Sequence, residues 1–66
     1  MKNKIKIQRA INGLTQEELA NRIGVSRQTI NSIENNRYIP STVLALKISR
    51  IFKTSINEIF ELDEDD

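Results

Sequence analysis

Between Leu14 and Glu34 the apolar residues fall into two groups at helical spacing, Leu19, Ala20 and Ile23, then Ile30 and Ile33. Positions three and four apart share one helix face, so the pattern predicts two short amphipathic helices, Gln16 to Ile23 and Arg27 to Asn35. Their ends carry matching punctuation. Thr15 is an N-cap with Glu18 three residues on, a capping box in which each side chain satisfies an orphan backbone N–H. Leu14 and Leu19 occupy the staple positions around that cap. Ser26 repeats the device, with Val25 before it and Ile30 at the fourth helical position. Gly24 supplies the left-handed backbone that ends the first helix without a Cβ penalty. A joint this short leaves no room for an antiparallel hairpin, so the two helices must cross steeply.

The same reading extended along the chain predicts five helices. Helix 1 runs from about Lys4 to Asn12, with Ile5 or Ile7 and Ala10 and Ile11 facing inward, and stops at Gly13. The alternation KNKIKI also fits a short strand, and Met1 to Asn3 form a candidate strand pairing with Glu61 to Asp63. Asn35 to Pro40 has ordinary turn chemistry. Ser41 then caps helix 4, Thr42 to Phe52, whose Val43, Leu44, Ala45, Leu46, Ile48, Ile51 and Phe52 make it the most apolar element and place it centrally. Ser55 and Glu58 read as another capping box, opening helix 5 from Ile56 to Phe60 or Leu62.

The run TQEELANRIGVSRQTINSIENNRYIPS, continued by STVLALKISRIFKTSINEIF, resembles the Cro/C1-type (Xre-like) helix-turn-helix family of small phage and bacterial regulators. The resemblance covers Lys4 to Phe60 and is carried by Gln16, Ala20, Gly24, Val25, Ile30, Glu34 and Pro40 at family spacing. It implies an all-α, compact five-helix domain whose second motif helix enters the DNA major groove while the first crosses the backbone. With Ile30 and Ile33 turned to the core, the opposite face of helix 3 holds Arg27, Gln28, Asn31 and Ser32, and the resemblance places these at base edges. Arg27 can donate twice to guanine, and Gln28 can pair in the same way with adenine. Gln16, at the N-terminal end of helix 2, is the leading phosphate contact. Thr29, Asn35, Asn36, Arg37 and Tyr38 form the opposite wall in the family pattern. Arg9 and Glu34 occupy positions that form a structural ion pair in phage repressors of this type. Each polar residue also has a plainer reading as solvated helix or loop surface.

Size and composition narrow the function. Sixty-six residues make one domain near the lower limit for folding alone, which favours a dimer. Residues 1–62 read as that domain and residues 63–66 as an acidic tail. Ile56, Ile59, Phe60 and Leu62 are the expected dimer interface, unless they merely seal the outer face of helix 4. With neither Cys nor His, the chain lacks disulfides and the commonest general base and metal ligand. No catalytic residues, metal site or cofactor are expected. No apolar run reaches membrane-spanning length and no signal-peptide core follows the basic start, so the chain reads as cytoplasmic. Net charge is +1, yet Met1 to Lys53 carries ten Lys and Arg against three acids, +7, and Thr54 to Asp66 six acids and no base, −6. A basic body with an acidic end fits a polyanion partner on one face. The sequence therefore points to a homodimeric regulator, most simply a repressor, that binds a pseudo-palindrome in double-stranded DNA. The alternative is an antitoxin or adaptor that uses the same fold to hold a protein.

Overall fold

The computed structural model describes all 66 residues. The elements are β1 (Lys2–Asn3), α1 (Ile5–Asn12), α2 (Gln16–Ile23), α3 (Arg27–Glu34), α4 (Thr42–Phe52), α5 (Ile56–Ile59) and β2 (Phe60–Glu61). Five helices thus form as the periodicity predicts, with one two-stranded sheet joining the termini.

The helix ends follow their caps. The Glu18 N–H donates to Thr15 Oγ1 at 3.0 Å, and the Thr15 N–H donates to Glu18 Oε1 at 3.0 Å. These bonds hold the Glu18 carboxyl below its ordinary range, the Thr15 backbone N–H contributing most. Ser26 Oγ accepts from the Thr29 N–H at 3.1 Å, and Ser41 Oγ accepts from the Leu44 N–H at 3.2 Å. Gly13 and Gly24 close α1 and α2 at φ 66° and 74°. Ser55 departs from expectation, since its hydroxyl caps nothing. In a single-turn helix the Glu58 N–H is taken by the Ser55 carbonyl at 3.0 Å instead.

Twelve apolar side chains form one core, with Leu19, Ala20 and Ile23 of α2 packed against Ile30 and Ile33 of α3, and Leu44, Ile48 and Phe52 of α4. Helix 4 is less buried than its composition implies, because Val43 and Leu46 face solvent. Helix 1 also departs from the expected facing. Ile5 is buried, whereas Ile7, Ala10 and Ile11 are exposed. The reason is Arg9, which shares a face with Ile5 and is drawn inward to pair with Glu34. Residues two apart on a helix point ~200° away from each other, so turning positions 5 and 9 inward turns 7 and 11 out.

At the C-terminal end α5 stops at Ile59 because Phe60 turns extended and pairs with β1, in the register Lys2 with Glu61 and Asn3 with Phe60. The pairing expected of Glu61 to Asp63 therefore starts one residue earlier. The Lys4 N–H donates to the Ile59 carbonyl at 2.8 Å and seals the junction. The acidic end is folded back, with Asp63 and Asp66 at 2.9 and 3.0 Å from the Met1 amino group.

Nothing lies within 4 Å of where a Gly24 Cβ would sit, so a side chain there meets only backbone strain. Gly24→Ala should cost about 1–2 kcal/mol, visible as a fall in Tm of roughly 5–15 °C by circular dichroism. An unchanged Tm would show that the turn does not depend on glycine.

Candidate nucleic-acid interface

Helix α3 is held from beneath by Ile30 and Ile33, both buried, while Arg27, Gln28 and Asn31 stand exposed and Thr29 and Ser32 are half-buried. The outward face is polar from its first residue to its last. Beside it runs an open groove of about 450 Å³, lined by Ser26, Gln28, Thr29, Ser32, Arg37 and Tyr38, with Val25 and Leu44 supplying apolar surface. The turn after α3 builds the far wall. Asn36 takes a left-handed conformation, φ 60°, which asparagine tolerates better than most residues. The Arg37 N–H then donates to the Ser32 carbonyl at 2.9 Å, folding the turn back along the helix. Neither Arg27 nor Arg37 forms an ion pair, so both guanidiniums are free for an anion. A polar helix face flanked by a groove with an unpaired arginine can offer hydrogen-bond donors and acceptors on one side and a cation on the other.

The opposite flank is built around one carboxylate. Glu34, the last residue of α3, accepts from Arg9 Nε at 2.6 Å and Arg9 Nη2 at 3.1 Å. Its Oε1 also accepts from Gln16 Nε2 at 3.2 Å. Arg9 Nη1 donates to the Leu14 carbonyl at 3.1 Å. The side chains of Arg9 and Glu34 are only 15% and 6% exposed. Hydrogen bonding to Glu34 raises the affinity of the Arg9 guanidinium for its proton.

A helix-turn-helix family model matches residues 5–59. The chain is 52% identical over 66 residues to an uncharacterized HTH-type transcriptional regulator of Methanocaldococcus jannaschii, with 100% of both chains covered. It is 46% identical over 65 residues to the HTH-type transcriptional regulator YgzD of Bacillus subtilis, with 98% of each covered. Among solved structures it is similar to the restriction-modification controller protein C.AhdI of Aeromonas hydrophila, with a TM-score of 0.77, 28% identity and 85% of each chain covered. The chain belongs to the Cro/C1-type helix-turn-helix family.

For a Cro/C1-type chain the sequence-predicted residues are placed unevenly. The fold brings Gln28, Thr29, Ser32, Arg37 and Tyr38 to one groove. Asn31 and Asn35 sit one turn apart and are joined, Asn35 Nδ2 to Asn31 Oδ1 at 3.2 Å. Asn36 is held from the other side by Asn3 Nδ2 at 3.2 Å. That same amide donates to the Ile33 carbonyl at 2.9 Å, a brace at the end of α3 that no periodicity in the sequence marks. Arg9 and Glu34 meet as the resemblance implies; the bond from Gln16 had no sequence signal.

The residues expected to form a dimer interface lie otherwise. Ile59 and Phe60 are 1% and 8% exposed within the chain's own core, Ile56 packs half-buried against it, and only Leu62, 73% exposed, is free. A one-turn helix that continues into β2 has to spend its apolar side chains sealing the core. The large apolar residues left exposed beside α4 are Ile39, Val43 and Leu46.

Arg9→Met strands the Glu34 carboxylate, and should lower stability by about 2–4 kcal/mol. The charge-free double change Arg9→Met with Glu34→Met should lose about 1 kcal/mol or less. Thermal melts of the two variants read the difference; equal losses would mean that packing, not charge, carries the pair.

Proposed function

We propose that this helix-turn-helix chain is a sequence-specific transcriptional repressor that binds a pseudo-palindromic operator as a homodimer, with α3 in the major groove. The observation that carries the reading is the polar outer face of α3 beside the groove that holds Arg37 and Tyr38. Arg27, Gln28, Asn31 and Ser32 read base edges, and Arg27 and Gln28 do most because their forked donors and acceptors match guanine and adenine in two bonds each. Gln16, Thr29, Asn35, Asn36, Arg37 and Tyr38 hold phosphates and so fix the register.

A single α3 reads only half of a useful site, and phosphate attraction alone gives weak, salt-sensitive binding. Two copies related by a two-fold axis set their recognition helices about 34 Å apart, one duplex turn. The exposed strip of Ile39, Val43 and Leu46, rather than α5, is the face for the second copy. It offers apolar surface, from α4 and the loop before it, that one protomer leaves in water. A bound dimer represses most simply, by excluding polymerase from the site it covers.

Selection from random duplexes at near-physiological salt should enrich a two-fold symmetric motif with half-sites about one helical turn apart. Arg27→Ala with Gln28→Ala should abolish the enrichment without moving Tm, since both side chains are exposed. Failure of the wild type to enrich any sequence would contradict the proposal and favour a protein-binding role. Val43→Glu with Leu46→Glu should leave the protomer folded but monomeric by sedimentation, and weaken operator binding by at least about a hundredfold. A dimer that survives both charges would rule out this face.

A further inference from the structure

We infer that Glu34 is a positioning residue of the DNA interface: its carboxylate holds the Gln16 amide in the orientation that offers a donor to phosphate. The inference rests on the DNA-binding reading above and goes beyond the stabilising role of the ion pair. Gln16 opens α2, where free N–H groups and the helix dipole favour an anion. A glutamine amide in water is indifferent to a half-turn that exchanges its oxygen for its nitrogen. Only the nitrogen side attracts a phosphate, because the oxygen is an acceptor facing an acceptor.

An ionised carboxylate can only accept, so the bond from Gln16 Nε2 to Glu34 Oε1, 3.2 Å, selects one of the two orientations. One amide hydrogen is then committed and the second remains to donate. The cost of such a device is a negative charge beside a polyanion, and Arg9 removes it. Its two bonds to the same carboxylate, 2.6 and 3.1 Å, leave the pair with no net charge to repel a phosphate. The carboxylate is also fixed in place. It is 6% exposed, stands at the C-terminal end of α3, and its arginine is anchored on the Leu14 carbonyl just before α2. The carboxylate thus ties the phosphate anchor on α2 directly to the end of the reading helix α3.

A double-mutant cycle on the selected operator tests this. Gln16→Ala should weaken binding by about tenfold in the wild type, the ordinary worth of one hydrogen bond to a charged group. In the Arg9→Met, Glu34→Met background it should cost less than about twofold, because the amide is no longer held. Arg9→Met with Glu34→Gln offers an amide that donates as well as accepts, so it selects neither orientation and should return little of the tenfold effect. Thermal melts confirm that each variant is folded at the assay temperature. Should the Met pair fail to fold, side-chain relaxation of the free wild type decides: an Nε2 group as ordered as the backbone supports the inference, and a freely rotating one overturns it. Equal losses from Gln16→Ala in both backgrounds would overturn the positioning role while leaving DNA binding intact. So would a silent Gln16→Ala where Arg27→Ala with Gln28→Ala abolishes selection. A wild type with no DNA affinity would remove both readings together.

Discussion

The angle at which α3 leaves α2 is the constraint from which the interface follows. It is set within three residues: Gly24 at φ 74° ends one helix, Val25 packs against the core, and Ser26 caps the next. Ala20, almost fully buried, belongs to the same core as Leu19, Ile23, Ile30 and Ile33. Ile30 and Ile33 then take the buried side of α3, Glu34 turns in at its end, and Arg27, Gln28 and Asn31 are left exposed. The polar face is the complement of the packed one.

The opposite end of α3 is fixed by charge rather than by packing. Glu34 gathers Arg9 from α1 and Gln16 from α2, so three helices meet at one carboxylate. Such a pair is costly to desolvate and contributes little net stability compared with an apolar substitute. Its value lies in specifying where Gln16 stands. A chain of 66 residues with a core of twelve side chains has little stability to spare, which is why its ends are capped, paired or folded back.

Much of this was legible in the sequence because caps and turns act locally. Thr15 with Glu18, Ser26, Ser41, Gly13 and Gly24 each do in the structure what their residue types and spacing imply. The misreadings came where a long-range contact overrode a local pattern. Ile7 and Ile11 have helical apolar spacing, but Arg9 turned their face outward to reach a partner 25 residues away. Phe60 left the helix for a strand that only the N-terminus could complete. At the site, the α3 face followed from periodicity. The far wall did not, since it depends on Asn36 in a left-handed turn and was accessible only through family resemblance.

The central claim is that α3 and its two flanks meet DNA. Titrating the labelled protein with its selected operator and following backbone amide shifts tests it residue by residue. The largest changes are expected at Gln16, Arg27 to Ser32 and Asn35 to Tyr38, with α5 and the acidic end little affected. Changes centred on α5 and Glu61 to Asp66, with α3 unmoved, would contradict it.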